Sequence, residues 1–379
     1  MQLKKSILFL TGTRADFGKI KALLAAVDAC EDVDYGIFVT GMHMLERYGA
    51  TYKEVVKSGF SNIFPFVNQH RSEPMEAVLA NTVAGLSRYV HEMQPQMIVV
   101  HGDRVETLAG AIVGAMTNRL VAHIEGGELS GTIDELIRHA VSKLSHIHFV
   151  ANDEAKVRLV QMGEIADTVF VIGSPDVDAM KSKTLPSIAE AKSRYGISFG
   201  SYSIAMFHPV TTEHEFMATY ARHFVDALLA ADEDFIVVLP NNDLGCDFIF
   251  EEYKRLEGNP KFVIRPSFRF EHFLTLLKNA KLIVGNSSAG IREAPYYGIP
   301  TVNVGTRQRN RFFHSSIIST GYAVSEILSG IQRASLLDAS PAFEHFGSGD
   351  SAKKFIEIIT AEQTWRTDRQ KQFVSLSAV

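Results

Sequence analysis

Carboxylates, a histidine and several cations stand where short apolar runs of this 379-residue chain end. The run Met97 to Val100 is followed by His101-Gly102-Asp103-Arg104. A glycine at a strand end lets a ligand come close to the backbone, and Asp103 then faces the ligand. The structural alternative is that Asp103 caps a helix starting at Val105. The run Val121 to Ile124 is followed by Glu125-Gly126-Gly127-Glu128. Two glycines after a carboxylate cost local order, so they read as room made around a working Glu125 rather than a loose loop. Thr132 and Glu135 fit a capping box. Asp134 then lies in the first helical turn, where the helix dipole favours its charged form. Arg138, four residues on, is spaced to pair with it.

A second group of residues suits phosphate. After Ile7–Thr11 come Gly12, Thr13, Arg14, Ala15, Asp16, Phe17, Gly18 and Lys19. This matches neither a dinucleotide fingerprint nor a P-loop. It is still a strand–turn–helix carrying two cations, Arg14 and Lys19, which can clamp a phosphate-bearing ligand. The plainer reading makes Asp16 the N-cap and leaves the cations solvated. After Leu282–Gly285 come Asn286, Ser287, Ser288, Ala289 and Gly290, then a helix through Glu293. Small residues, hydroxyls and free amides at a helix start suit a diphosphate, with Glu293 set for ribose hydroxyls and Arg307 as an added cation. The alternative is that Ser288 is only an N-cap. His208 ends the run Ser203–Phe207, Asn241 sits similarly on the next one, and Phe268 is placed to flank a base.

The elements behind these residues alternate. Apolar runs fall at Ile7–Thr11, Tyr35–Thr40, Met97–His101, Val121–Glu125, Ile147–Ala151 and Val169–Gly173. They recur at Ser203–Phe207, Phe235–Leu239, Phe262–Arg265, Leu282–Gly285 and Thr301–Val304. Continuous apolar strands imply parallel sheets covered by helices on both faces. Helical spacing lies between them, as at Ile20, Leu23, Leu24 and Val27. Chains beyond roughly 250–300 residues usually divide into domains. We expect an N-terminal Rossmann-like domain over 1–174, a second over 175–361, and a C-terminal helix over 362–379 carrying Trp365, Phe373 and Leu376 and packing on the first domain. The fold class is α/β, two Rossmann-like domains with an interdomain cleft. In such sheets ligands bind beyond the carboxyl ends of the strands.

A net charge of -5 argues against a general grip on nucleic acid. No stretch approaches the roughly 20 apolar residues of a membrane span. Cys30 and Cys246 are far apart and form neither a disulfide framework nor a metal spacing. The histidines near Asp134 have no regular ligand spacing either. We expect a cytoplasmic protein with no metal and no cofactor.

Taken together, TGTRADFGK (11–19), VTGMH (39–43), HGDR (101–104), HIEGGE (123–128), 132–139, IGSPD (172–176), FHPVT (207–211), LPNND (239–243) and GNSSAGIREA (285–294) resemble the UDP-N-acetylglucosamine 2-epimerase family, closest to its hydrolysing branch. The resemblance implies a glycosyltransferase-B fold and a UDP-sugar substrate. It implies catalysis by Asp103, Glu125 and Asp134, with His208 beside the sugar. It implies UDP contacts from Arg14, Asp16, Lys19, Asn241, Ser287, Ser288, Glu293 and Arg307. His43, Arg104, Arg138 and Phe268 complete the candidate substrate-binding set. The product would be free N-acetylmannosamine for sialic acid biosynthesis, made by a homo-oligomer (dimer or tetramer). The alternatives are a non-hydrolysing epimerase, or the hydrolysing chemistry on a UDP-2,4-diacetamido-6-deoxy sugar. A glycosyltransferase of this architecture would have less use for three carboxylates.

Overall fold

Leu8, Phe9 and Leu10 are buried whichever face of the strand they point to, as a parallel sheet covered on both sides requires. A computed structural model describes residues 4–71, 73–337, 343–372 and 374–375. Contacts divide the chain into two units. Unit 1 takes in Met1–Glu128, Asp134–Lys181 and His345–Val379, and unit 2 takes in Leu129–Ile133 and Ser182–Glu344.

Unit 1 holds a seven-stranded sheet, ordered β3-β2-β1-β4-β5-β6-β7. Its strands are β1 Lys5–Thr11, β2 Val33–Val39, β3 Ile63–Pro65, β4 Met97–His101, β5 Leu120–Ile124, β6 Ile147–Val150 and β7 Val169–Val171. All neighbours pair in parallel. Unit 2 holds a six-stranded sheet, ordered β10-β9-β8-β11-β12-β13. Its strands are β8 Ser203–Met206, β9 Phe235–Val238, β10 Phe262–Arg265, β11 Ile283–Gly285, β12 Thr301–Val304 and β13 Ile317–Thr320, again all parallel. Each sheet therefore winds outward in two directions from a central pair. The order reverses between β1 and β4 in unit 1, and between β8 and β11 in unit 2. Crevices for ligands open at such switch points.

The expected elements are present with small shifts, and two edge strands, β3 and β13, join those read from the sequence. The divisions differ more. The structure assigns 175–181 and 345–361 to unit 1, where the sequence reading put them in the second domain. The reason is packing. Phe355 and Ile359, on the helix Ser351–Thr360, are fully buried in the core of unit 1 with Phe9 and Phe149. The ring of Phe355 lies 4.8 Å from that of Phe149.

The helix expected over 362–379 is limited, among the described residues, to Glu362–Trp365. Trp365 does pack against the unit 1 core, and its indole N–H donates to the Ile359 carbonyl at 2.6 Å. Phe373 and Leu376 lie outside the described residues. Among the described residues no helix is long and apolar enough to cross a membrane.

Candidate active site

Unit 1 brings its polar residues to the carboxyl ends of β1, β4 and β5. Beyond β4, Gly102 takes a left-handed φ of +78°, and Asp103 forms a close ion pair with Arg138. The helix Val105–Met116 that follows has Arg104 at its N-cap and no side-chain cap bond, so capping is not the job of Asp103. Arg104 instead places its Nε 3.4 Å from Glu106, itself buried. Arg138 is 1% exposed, and it also lies 3.5 Å from Glu128. Burial opposes its charge, but Asp103, Glu128 and Glu125 outweigh that and hold the guanidinium pKa above its ordinary value. Beyond the local i,i+4 spacing expected for it, Arg138 makes long-range pairs with Asp103 and Glu128. Asp134 sits in the first turn of Ile133–Leu144, as expected, and is half-buried. Glu135 lies 3.5 Å from His139 on the same helix.

Glu125 follows β5 with a φ of +66°, a left-handed conformation that costs a non-glycine residue energy. Its side chain is buried in a polar nest. The Ser174 hydroxyl donates to its Oε1 at 2.9 Å. Lys19 Nζ lies 3.7 Å away and His101 Nε2 3.4 Å away from the same oxygen. Lys19 is also 3.3 Å from Asp176, which is fully buried.

The two glycines after Glu125 do not make room for a ligand, contrary to the sequence reading. A Cβ on Gly126 would sit 2.9 Å from His123 Nδ1, and one on Gly127 would sit 2.3 Å from the Ala155 carbonyl. Gly126 admits the His123 ring and the Ser142 hydroxyl, and Gly127 admits the neighbouring helix Asp153–Gln161.

At the end of β1, Thr13 is the N-cap of the helix Arg14–Asp28, and Asp16 stands at N3 of a capping box. The Asp16 carboxylate accepts from the amides of Gly12 at 2.9 Å and Thr13 at 3.1 Å. Arg14 pairs with Glu54 at 2.5 Å, so neither residue is a simply solvated charge. His43 is buried, with Nε2 3.1 Å from the Thr11 hydroxyl and Nδ1 2.7 Å from that of Thr51. Burial pushes its imidazole down to about 4. It holds β1 to the segment after β2 as a neutral ring. His123 does a similar job deeper in, between the Gly102 carbonyl at 2.8 Å and the Ser142 hydroxyl at 3.1 Å, and burial takes it to about 3.

Unit 2 gathers its residues at the ends of β8, β9, β11 and β12. Asn286 is fully buried. Its Oδ1 accepts from the His208 amide at 2.7 Å, and its Nδ2 donates to the His208 carbonyl at 2.8 Å. That pair locks β8 and β11 together where the strand order reverses. Gly285 makes the approach possible. At its φ of +134°, a Cβ would lie 1.9 Å from the Met206 carbonyl. His208 Nδ1 accepts from the Asn241 amide at 3.1 Å, which ties in β9. Arg307 and Gln308 donate to the Asn286 carbonyl at 3.3 and 2.9 Å, which ties in β12.

The helix expected to run through Glu293 is broken in two. A single 3-10 turn covers Ser288–Gly290, and a four-residue helix covers Glu293–Tyr296, with Pro295 inside it. The cap is Ser287 rather than Ser288, its hydroxyl accepting from the Ala289 amide at 3.3 Å. Pieces this short carry little macrodipole, so an anion here would depend on individual amides and on Arg307. Glu293 is buried beside Arg292. Phe268 is also buried, edge-on to Tyr195 with centroids 4.5 Å apart.

The sequence reading missed Ser174 and Asp176 as partners in the Glu125 nest, and Asn286 as the lock in unit 2. All three lie inside motifs already noted, IGSPD and GNSSAGIREA. Among the described residues no cluster suited to a metal ion occurs.

Two doubly wound parallel sheets, each with its polar residues at the strand carboxyl ends, define a two-unit Rossmann-like enzyme architecture. The family described as UDP-N-acetylglucosamine 2-epimerase matches residues 25–360, and the chain belongs to that family. It is 51% identical to the UDP-N-acetylglucosamine 2-epimerase of Neisseria meningitidis serogroup B, over 98% of this chain and all of the relative. It is 32% identical to the UDP-N,N'-diacetylbacillosamine 2-epimerase (hydrolyzing) of Legionella pneumophila, over 94% of this chain and 95% of the relative. In fold it is similar to the Methanocaldococcus jannaschii UDP-GlcNAc 2-epimerase crystallised with UDP-GlcNAc and UDP. That TM-score is 0.79 at 19% identity, covering 94% of this chain and 99% of the other.

Proposed function

We propose that this chain is a hydrolysing UDP-N-acetylglucosamine 2-epimerase, converting its substrate and water to N-acetylmannosamine and UDP. The observation that carries the reading is the set Asp103, Glu125 and Asp134 on neighbouring elements of unit 1, two of them beside the buried cations Arg138 and Lys19.

The C2 proton of the sugar is not acidic, because no carbonyl adjoins it. Breaking the C1–O bond first changes that. UDP leaves with the bonding electron pair, C1 becomes oxocarbenium-like, and a carboxylate takes the C2 proton as the C1–C2 double bond of a 2-acetamidoglucal forms. Charge growing on the diphosphate needs donors already in position. We assign that task to unit 2, through Ser287, Ser288 and Arg307, with His208 and Asn241 nearby, and to Arg14 of unit 1. Hydration then protonates C2 from the opposite face, and water adds to C1 with loss of its proton. Asp103 and Glu125 handle the C2 protons in this reading, and Asp134 orients water or a hydroxyl.

The Legionella relative favours a second reading, the same hydrolysis on a UDP-2,4-diacetamido-6-deoxy sugar. The hydrolysing branch itself is supported by the motif resemblance and by that relative's name. The expected sialic acid role, cytoplasmic location and homo-oligomer belong to the same proposal.

Proton NMR of the reaction in deuterated water tests it. The expected product is free N-acetylmannosamine with deuterium at C2. A sugar still linked to UDP would make the enzyme non-hydrolysing, and free sugar with protium at C2 would sink the elimination route. Asp103→Asn is expected to lower turnover by about 100-fold or more while UDP still binds. Near-normal turnover would remove Asp103 from the mechanism.

A further inference from the structure

Asp176 has no part in the chemistry set out above, yet it is one of the most deeply buried charged groups in unit 1, with no exposed surface. A buried carboxylate is costly unless its charge is matched. It lies in the first turn of the helix Pro175–Met180. A carboxylate serving only that turn could stay at the surface. Its half-buried neighbour Asp178 serves another element, accepting from the amides of Ser351 at 3.0 Å and Ala352 at 2.8 Å to hold the helix Ser351–Thr360. Asp176 instead meets the Lys19 ammonium at 3.3 Å, and the same ammonium stands 3.7 Å from Glu125. Two residues before Asp176, Ser174 donates to Glu125. One turn, Ser174-Pro175-Asp176, therefore addresses Glu125 both directly and through Lys19.

We infer that Asp176 is a positioning residue for the reaction: it anchors Lys19 beside Glu125 and keeps the Glu125 carboxylate the stronger base. This rests on the reading of Glu125 as a proton acceptor. The physics has two parts. A lysine side chain has many rotamers, and a buried partner fixes the ammonium in one place. The charge of Asp176 also offsets that of Lys19. An ammonium beside a lone carboxylate lowers its proton affinity, whereas a second carboxylate on the same ammonium restores part of it.

The other groups facing Glu125 work in both directions. His101 at the end of β4 lies 3.4 Å from it, and Arg138 on Ile133–Leu144 acts on it through charge. A protonated His101 and Arg138 both favour the carboxylate form. Asp176 opposes them and leaves Glu125 basic enough to take a proton from carbon.

The test is a carboxyl carbon-13 NMR titration of the full-length protein labelled at glutamate, with the Glu125 signal assigned through Glu125→Gln. It is run beside the pH profile of kcat/KM on UDP-N-acetylglucosamine. Asp176→Asn is expected to lower the Glu125 midpoint by about one pH unit, and to move the acid limb of the profile the same way. Lys19→Met is expected to raise the midpoint. An unchanged or raised midpoint in folded Asp176→Asn overturns the proposal, since a merely structural aspartate would lower activity without moving the limb. If Asp176→Asn does not fold, the double variant Lys19→Met/Asp176→Asn is compared with Lys19→Met, and its midpoint is expected to be the lower. Equal midpoints overturn the proposal. A wild-type enzyme that fails to turn over the substrate would refute the proposed activity, while the titration would still judge Asp176.

Discussion

The two units solve one problem with different bonds. Unit 1 holds its candidate carboxylates with buried charge: Arg138 against Asp103 and Glu128, and Lys19 against Glu125 and Asp176. Unit 2 joins the ends of β8, β9 and β11 with neutral amide bonds, Asn286 to the backbone of His208 and the Asn241 amide to the His208 ring, and Arg307 adds one charged donor at the Asn286 carbonyl. Buried charge sets proton affinities, which acid–base chemistry needs. Neutral hydrogen bonds fix a backbone without imposing a net field, which suits the diphosphate site proposed for unit 2. The contrast predicts that the units fail differently when a partner is removed or the pH changes.

The largest effect is expected from Arg138→Met, which takes the buried guanidinium away from two carboxylates. Removing one partner of a buried pair costs about 3–5 kcal/mol. Urea unfolding measures it, and a loss under about 1 kcal/mol would mean that Asp103 and Glu128 are well solvated without Arg138. Next comes pH. His43 and His123 stay neutral in the fold, at about 4 and about 3, against an ordinary 6.5 when unfolded. Above 6.5 neither state binds the extra proton. Below it the unfolded chain binds protons that the fold refuses, so stability falls as pH drops from 6.5 toward 4. The slope is roughly 1.4 kcal/mol per pH unit for each histidine. His43→Gln should flatten the dependence of urea midpoints between pH 6.5 and 5, and an equally steep slope in the variant would count against it.

In unit 2, Asn286→Ala removes the bonds on both sides of His208. It should cost about 2 kcal/mol and weaken UDP binding roughly tenfold by calorimetry, with little change in pH dependence. Were its pH profile to shift as well, the charged-versus-neutral contrast would be broken. The smallest effect is expected from Thr13→Ala, about 1 kcal/mol for a lost N-cap, seen as a modest fall in melting temperature.

Much of this was legible in the sequence because parallel strands announce themselves. Met97–His101, Phe262–Arg265 and Thr301–Val304 have the expected bounds. Ile63–Pro65 did not stand out, being three residues with two of them exposed and a proline at the end. Asp103 and Glu125 could be found from strand ends, and Asp134 from the start of a helix. Their partners could not, because periodicity describes only neighbours along the chain. Helical spacing offers Arg138 a partner four residues back, while its bond to Asp103 spans 35 positions and that from Ser174 to Glu125 spans 49. The broken helix at Ser288–Tyr296 was hidden for a different reason. Its composition suits a helix start, while Gly285 and Gly290 pack closely against β8 and β12 in a way that neighbours along the chain do not reveal.

The interleaving of the units along the chain bears on how the protein is made. Unit 2 is almost wholly continuous, Ser182–Glu344, whereas unit 1 draws Phe355 and Ile359 into its centre from the far side of that insertion. A ribosome delivers the seven strands of unit 1 early but supplies these two side chains last. The earlier-born half must therefore wait, with the slot beside Phe9 and Phe149 unfilled, while the later-born half can finish first, the reverse of the usual N-to-C order.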